Sequence, residues 1–129
     1  MDIFKILLVE DNAAFRQSIK EIIQTEFPSI GIEEALDADD AMQKVDAFLP
    51  NLIFMDIKLP SGNGLALTKK IKKKHPGMSI IILTSYDFLE YRLAATQYGA
   101  NHFLSKASVT REEITALVKS FLGKGTPDL

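Results

Sequence analysis

The stretch NLIFMDIKLP (Asn51–Pro60) runs apolar from Leu52 through Met55 and then sets down an acid, Asp56. An apolar run of that length without polar alternation reads as a strand buried on both faces. Gly or Asn would turn the chain at its end just as well, so the carboxylate calls for a reason beyond the turn. Two other segments resemble it. IFKILLV (Ile3–Val9) ends in Glu10 and Asp11, and SIIILT (Ser79–Thr84) ends in Thr84 and Ser85. IGIEEAL (Ile30–Leu36) alternates as an edge strand does, and NHFLS (101–105) is a short fifth strand that leads into Lys106.

Helical stretches separate the strands. The residues Asn12–Phe27 place Phe15, Ile19, Ile22, Ile23 and Phe27 on one side of a helix. Further helices are expected over Asp39–Leu49, over Leu65–Lys74 before Pro76 and Gly77, and over Asp87–Tyr98 with Gly99 as C-cap. The last, Thr110–Leu122, opens on the capping signal TREE and closes at Gly123. Five βα units with short connections imply a parallel sheet covered by helices on both faces. Right-handed crossovers then favour an α/β three-layer sandwich of flavodoxin-like (βα)5 type with strand order 2-1-3-4-5.

The 129 residues suit one domain, expected over residues 1–123, with KGTPDL (124–129) as a tail or the start of a linker. There is no Cys, which excludes disulfides and thiolate metal sites and fits a cytoplasmic location. The N-terminus lacks the basic start and long apolar run of a signal peptide, and no stretch is long enough to span a membrane. A net charge of −2 argues against direct nucleic-acid binding by the domain surface. The basic run KKIKKKH (Lys69–His75) falls in the last turns of a helix, where cations complement the dipole, and its side chains are expected to be solvated. His75 and His102 have no metal-ligand spacing around them.

In an open parallel sheet the ligand site lies beyond the carboxyl ends of the strands, where strand order reverses. Here that point lies between the first and third strands, so Glu10, Asp11 and Asp56 meet there, with Thr84 and Lys106 on the neighbouring strand ends. Ionised carboxylates crowded together need a positive partner. A hard cation such as Mg²⁺ supplies it and accepts phosphate oxygens as well. Mg²⁺ and Lys106 facing a free Asp56 describe a phosphoryl-transfer site with Asp56 as nucleophile. Taken singly, the residues have plainer roles: Asp11 as a helix cap, Lys106 as a solvated loop residue, Phe103 as core.

The motifs LLVEDN, IFMDIKLPSGNGL, IIILTS and YGANHFLSK together resemble two-component response-regulator receiver domains, over Lys5 to about Leu122. The resemblance implies that Asp56 accepts a phosphoryl group from a histidine kinase. It implies that Asp11, Asp56 and the Lys58 carbonyl ligate Mg²⁺, with Glu10 acting through a water. It also implies that Lys106 and Thr84 bind the phosphoryl group and that Phe103 is an aromatic switch coupled to Thr84. Such a domain is a signalling phosphoacceptor and not an enzyme in the ordinary sense. Its partners would be a sensor kinase and a C-terminal output domain, which the fifth-strand motif suggests is DNA-binding, and phosphorylation could bring two copies together. The chain departs from the family pattern at Ala107, where Pro after a cis bond is common, at His102 for Gly and at Phe103 for Tyr. Lys58 and Tyr86 occupy the two positions that tune phosphoryl lifetime in the family. The alternative function is a degenerate receiver that works unphosphorylated as an interaction module. An FMN site or P-loop is disfavoured because VEDNAA is acidic and no GK[ST] motif is present.

Overall fold

The computed structural model describes residues 3–124. Strands β1 (Lys5–Val9), β2 (Gly31–Ala35), β3 (Leu52–Met55), β4 (Ser79–Thr84) and β5 (His102–Ser105) form one parallel sheet of order 2-1-3-4-5, as expected. Helices α1 (Ala13–Glu26) and α5 (Arg111–Lys124) cover one face, and α2 (Ala38–Phe48), α3 (Gly64–Lys74) and α4 (Leu89–Gln97) cover the other.

The apolar runs explain the layering. Alternate residues of a strand point to opposite faces. Leu7, Val9, Ile53, Met55, Ile80 and Ile82 pack with α2, α3 and α4, while Ile6, Leu8, Leu52, Phe54, Ile81 and Leu83 pack with Ile19, Ile23, Ile114, Val118 and Phe121. All these strand residues are buried, so the three central strands need the unbroken hydrophobicity that marks them in the sequence.

Helix ends differ from expectation where side chains choose other partners. Asn12, not Asp11, caps α1: its Oδ1 accepts the Phe15 N–H at 2.9 Å, which leaves the Asp11 carboxylate out of the cap. Asp37 caps α2, one turn residue earlier than the acids at its start. α4 begins at Leu89 and not at Asp87, because Asp87 pairs with Arg92 and Phe88 takes the cap position without a side-chain bond. Gly99 follows α4 with φ +97°, a conformation that suits glycine. The TREE box forms as read, the Thr110 and Glu113 side chains each accepting the other's backbone N–H at 3.1 Å. α5 runs through Gly123 to Lys124; the rest of the expected tail lies outside the described residues.

The basic run is solvated as expected at Lys69, Lys70, Lys73 and Lys74, and less so at Lys72. Lys72 donates to the Pro76 and Met78 carbonyls and so closes the C-terminus of α3, while Lys74 pairs with Asp46. Among the described residues no helix is long and apolar enough to cross a membrane.

Candidate functional site

β1, β3 and β4 deliver their polar ends to one place. Glu10 follows β1 directly, and its N–H donates to the Ala35 carbonyl while its own carbonyl accepts from Arg16 Nη1 at 2.8 Å. Asp56 follows β3, with its N–H donating to the Val9 carbonyl. Both side chains are buried, as is Thr84 at the end of β4. Oxygens of Glu10, Asp11 and Asp56 lie within 4.8 Å of one another, with Asp11 exposed at the rim. The sequence reading brought these three together, and the fold does so.

Lys106 closes the pocket from β5. Its Nζ sits 2.6 Å from Glu10 Oε1 and 3.0 Å from Asp56 Oδ2, and 4.6 Å from the centre of the Phe15 ring. Its backbone N–H donates to the Thr84 carbonyl, which fixes where the stem leaves the strand. Burial disfavours its charge, but the hydrogen bonds and charges of Glu10 and Asp56 outweigh this and raise its pKa. Burial is also the main influence on Glu10, whose carboxyl is pushed up despite hydrogen bonds from Lys106 and the Asn12 N–H; the Asp56 charge pushes the same way. Three carboxylates thus face one ammonium here. The carboxylate donors are all hard oxygens, the set that suits Mg²⁺.

The backbone around Asp56 is held from two sides. Asp56 Oδ1 accepts the N–H of Ile57, and the Gly64 N–H donates to the Ile57 carbonyl at 2.8 Å. A Cβ at Gly64 would lie 1.9 Å from the Asp56 carbonyl oxygen, so only glycine lets α3 start this close. Between them lies a small antiparallel hairpin, Lys58–Leu59 against Gly62–Asn63, which the sequence reading missed. Two-residue strands carry no periodicity to read; PSGNG was the only signal. Phe15, Arg16 and Gly64 were likewise missed as parts of the site.

The remaining residues surround the pocket. Lys58 opens the hairpin with its side chain in solvent, its ammonium 5.1 Å from the Tyr86 ring. Thr84 Oγ1 accepts the Tyr86 N–H at 3.3 Å. Phe103, one strand over, is half-buried against the core on the α4 side, and the Arg92 guanidinium lies 4.7 Å from its ring centre. Arg92 Nη2 also bonds Asp87 Oδ2 at 3.1 Å, a pairing that draws the Asp87 carboxyl below its usual range. No cis peptide occurs among the described residues, so the bond before Ala107 is trans.

Residues 6–119 match the family described as "Response regulator receiver domain". The chain is 31% identical over 120 residues to the oxygen regulatory protein NreC of Staphylococcus carnosus, covering 92% of this chain and 55% of that one. It is also 31% identical over 117 residues to the uncharacterized transcriptional regulatory protein YesN of Bacillus subtilis, covering 88% of this chain and 31% of that one. It thus spans just under a third of one of these relatives and just over half of the other. The crystal structure of a response regulator receiver domain protein (CheY-like) from Methanospirillum hungatei superposes with a TM-score of 0.87 at 32% identity, over 95% of this chain and 96% of that one. The acidic pocket, the strand order and these matches agree: the chain belongs to the response regulator receiver domain family.

Proposed function

We propose that the domain is a phosphoryl-accepting switch whose nucleophile is Asp56. The observation that carries this is the placement of a single ammonium, Lys106, 3.0 Å from Asp56 Oδ2 inside a trio of carboxylates. An Asp56 oxygen attacks the phosphorus of a histidine kinase's phosphoimidazole. The new O–P bond forms as the N–P bond breaks, and the imidazole leaves. Asp11, Asp56 and the Lys58 carbonyl would hold Mg²⁺, with Glu10 acting through a water, and the bound cation would neutralise charge on the transferred group. Lys106 exchanges its bond to the Asp56 carboxylate for one to a phosphoryl oxygen. The Thr84 hydroxyl, which accepts the Tyr86 N–H, turns to another.

Movement at Thr84 is passed to Phe103, and the surface of α4, β5 and α5 changes. That surface addresses an output domain or a second copy. The name of YesN, a transcriptional regulatory protein, supports a transcriptional output in a longer protein, and a cytoplasmic location follows from such a partner.

The test is intact-protein mass after incubation with acetyl phosphate and Mg²⁺. The expected result is a gain of one phosphoryl group that is lost in Asp56→Asn, with the melting transition retained. A gain that persists in Asp56→Asn overturns the assignment. No gain in the native protein favours the unphosphorylated interaction module.

A further inference from the structure

Arg92 does two things at once. Its guanidinium donates to both carboxylate oxygens of Asp87, and its central carbon lies over the Phe103 ring, 4.7 Å from the ring centre. A planar fork is suited to this double use, whereas an ammonium is not. Asp87 belongs to the β4–α4 loop, three residues past Thr84, and the Tyr86 N–H ties the near end of that loop to the Thr84 hydroxyl. α4 itself has no side-chain N-cap, and Ala95 is its one buried residue; Phe88 holds the start of the helix through its carbonyl and its ring against Tyr91, but neither contact reaches Phe103. A continuous chain of contacts thus runs Thr84, Tyr86, Asp87, Arg92, Phe103.

We infer that Arg92 is a positioning residue: anchored to the loop by Asp87, it holds the Phe103 ring in its half-buried place, and displacement of the loop releases the ring. An ordinary surface ion pair would contribute to α4 alone and leave Phe103 untouched. The inference rests on the phosphoryl switch only for what moves the loop; the clamp itself belongs to the resting protein.

Ring-proton resonances of Phe103 test it in the unphosphorylated domain, in Asp87→Asn, Arg92→Gln and the double variant. Each single variant should shift the Phe103 ring in the same direction, through a roughly two- to fivefold change in the ratio of ring positions. The double variant should add little to either, and Arg92→Lys should behave as Arg92→Gln. Additive shifts, or a Phe103 ring that does not respond to Arg92→Gln, overturn the inference. In a second arm, acetyl phosphate and Mg²⁺ should load Asp56 equally fast in native protein and Arg92→Gln, with a smaller further shift of Phe103 in the variant. An equal further shift overturns the clamp. A native protein that takes no phosphoryl group refutes the proposed function, and the resting-state double-variant experiment then decides the clamp alone.

Discussion

The pocket at the ends of β1 and β3 and the segment from Tyr86 to Gln97, which follows Thr84 in the chain, are built in opposite ways. In the pocket, Glu10, Asp56 and Thr84 are all buried and each is hydrogen-bonded. In α4, Leu89 and Leu93 are 68% and 62% exposed, Phe88 beside them is 51% exposed, and one side chain is buried. Chemistry on Asp56 needs groups that stay where they are. An element that reports on that chemistry has to move at small cost, and elements that bury little surface are the ones that open most readily. The sheet joins the two: Thr84 ends the same strand whose Ile80 and Ile82 are fully buried.

Two substitutions probe this contrast, and a third, outside both regions, sets the scale between them. The largest effect is expected for Lys106→Met in metal-free buffer. It keeps the apolar stem but strands two buried carboxylates, and should cost about 2 kcal/mol in chemical denaturation, part of it recovered on adding Mg²⁺. A loss no larger than that of a surface change would show that the pocket is less tightly coupled than its distances imply.

A smaller effect is expected for Glu34→Gln, outside both regions. Burial acts against the Glu34 charge, but the hydrogen bonds and charges of Lys20 and Arg16 prevail and lower its pKa. A carboxylate lowered in the folded state stabilises above its unfolded pKa, and that contribution is lost as pH falls through the folded one. The two proteins should therefore differ by about 0.5–1 kcal/mol at neutral pH and converge as the pH falls below the ordinary glutamate range, as followed by thermal melting. The smallest change is expected for Leu93→Ser, within about 0.5 kcal/mol of the native domain, because its side chain is already in water. A clear destabilisation there would mean α4 is anchored more firmly than its exposure indicates.

What the sequence made legible follows the same division. Strand order and the meeting of Glu10, Asp11 and Asp56 could be read because continuous apolar runs have one interpretation and the fold puts their ends together. Lys106 could be brought to the same place, but its 2.6 Å contact with Glu10 could not be read, since which carboxylate its long stem reaches depends on side-chain torsions that no sequence pattern records. Nor could the start of α4. Asp87 is as good a cap as any by type, and only its pairing with Arg92 shows that the helix begins without it. Asp11 posed the same choice at α1, where the neighbouring Asn12 took the cap.

Gly64 has a consequence for how this domain can vary. At Gly99 the demand for glycine is one of backbone angle, which asparagine can sometimes meet. At Gly64 the demand is for empty space beside the Asp56 carbonyl, and every other residue brings the same offending carbon. Substitution at the exposed positions of α3 can redistribute charge without meeting the Asp56 backbone. It has no such latitude where α3 begins. The position least free to change around Asp56 is one with no side chain and no chemistry of its own.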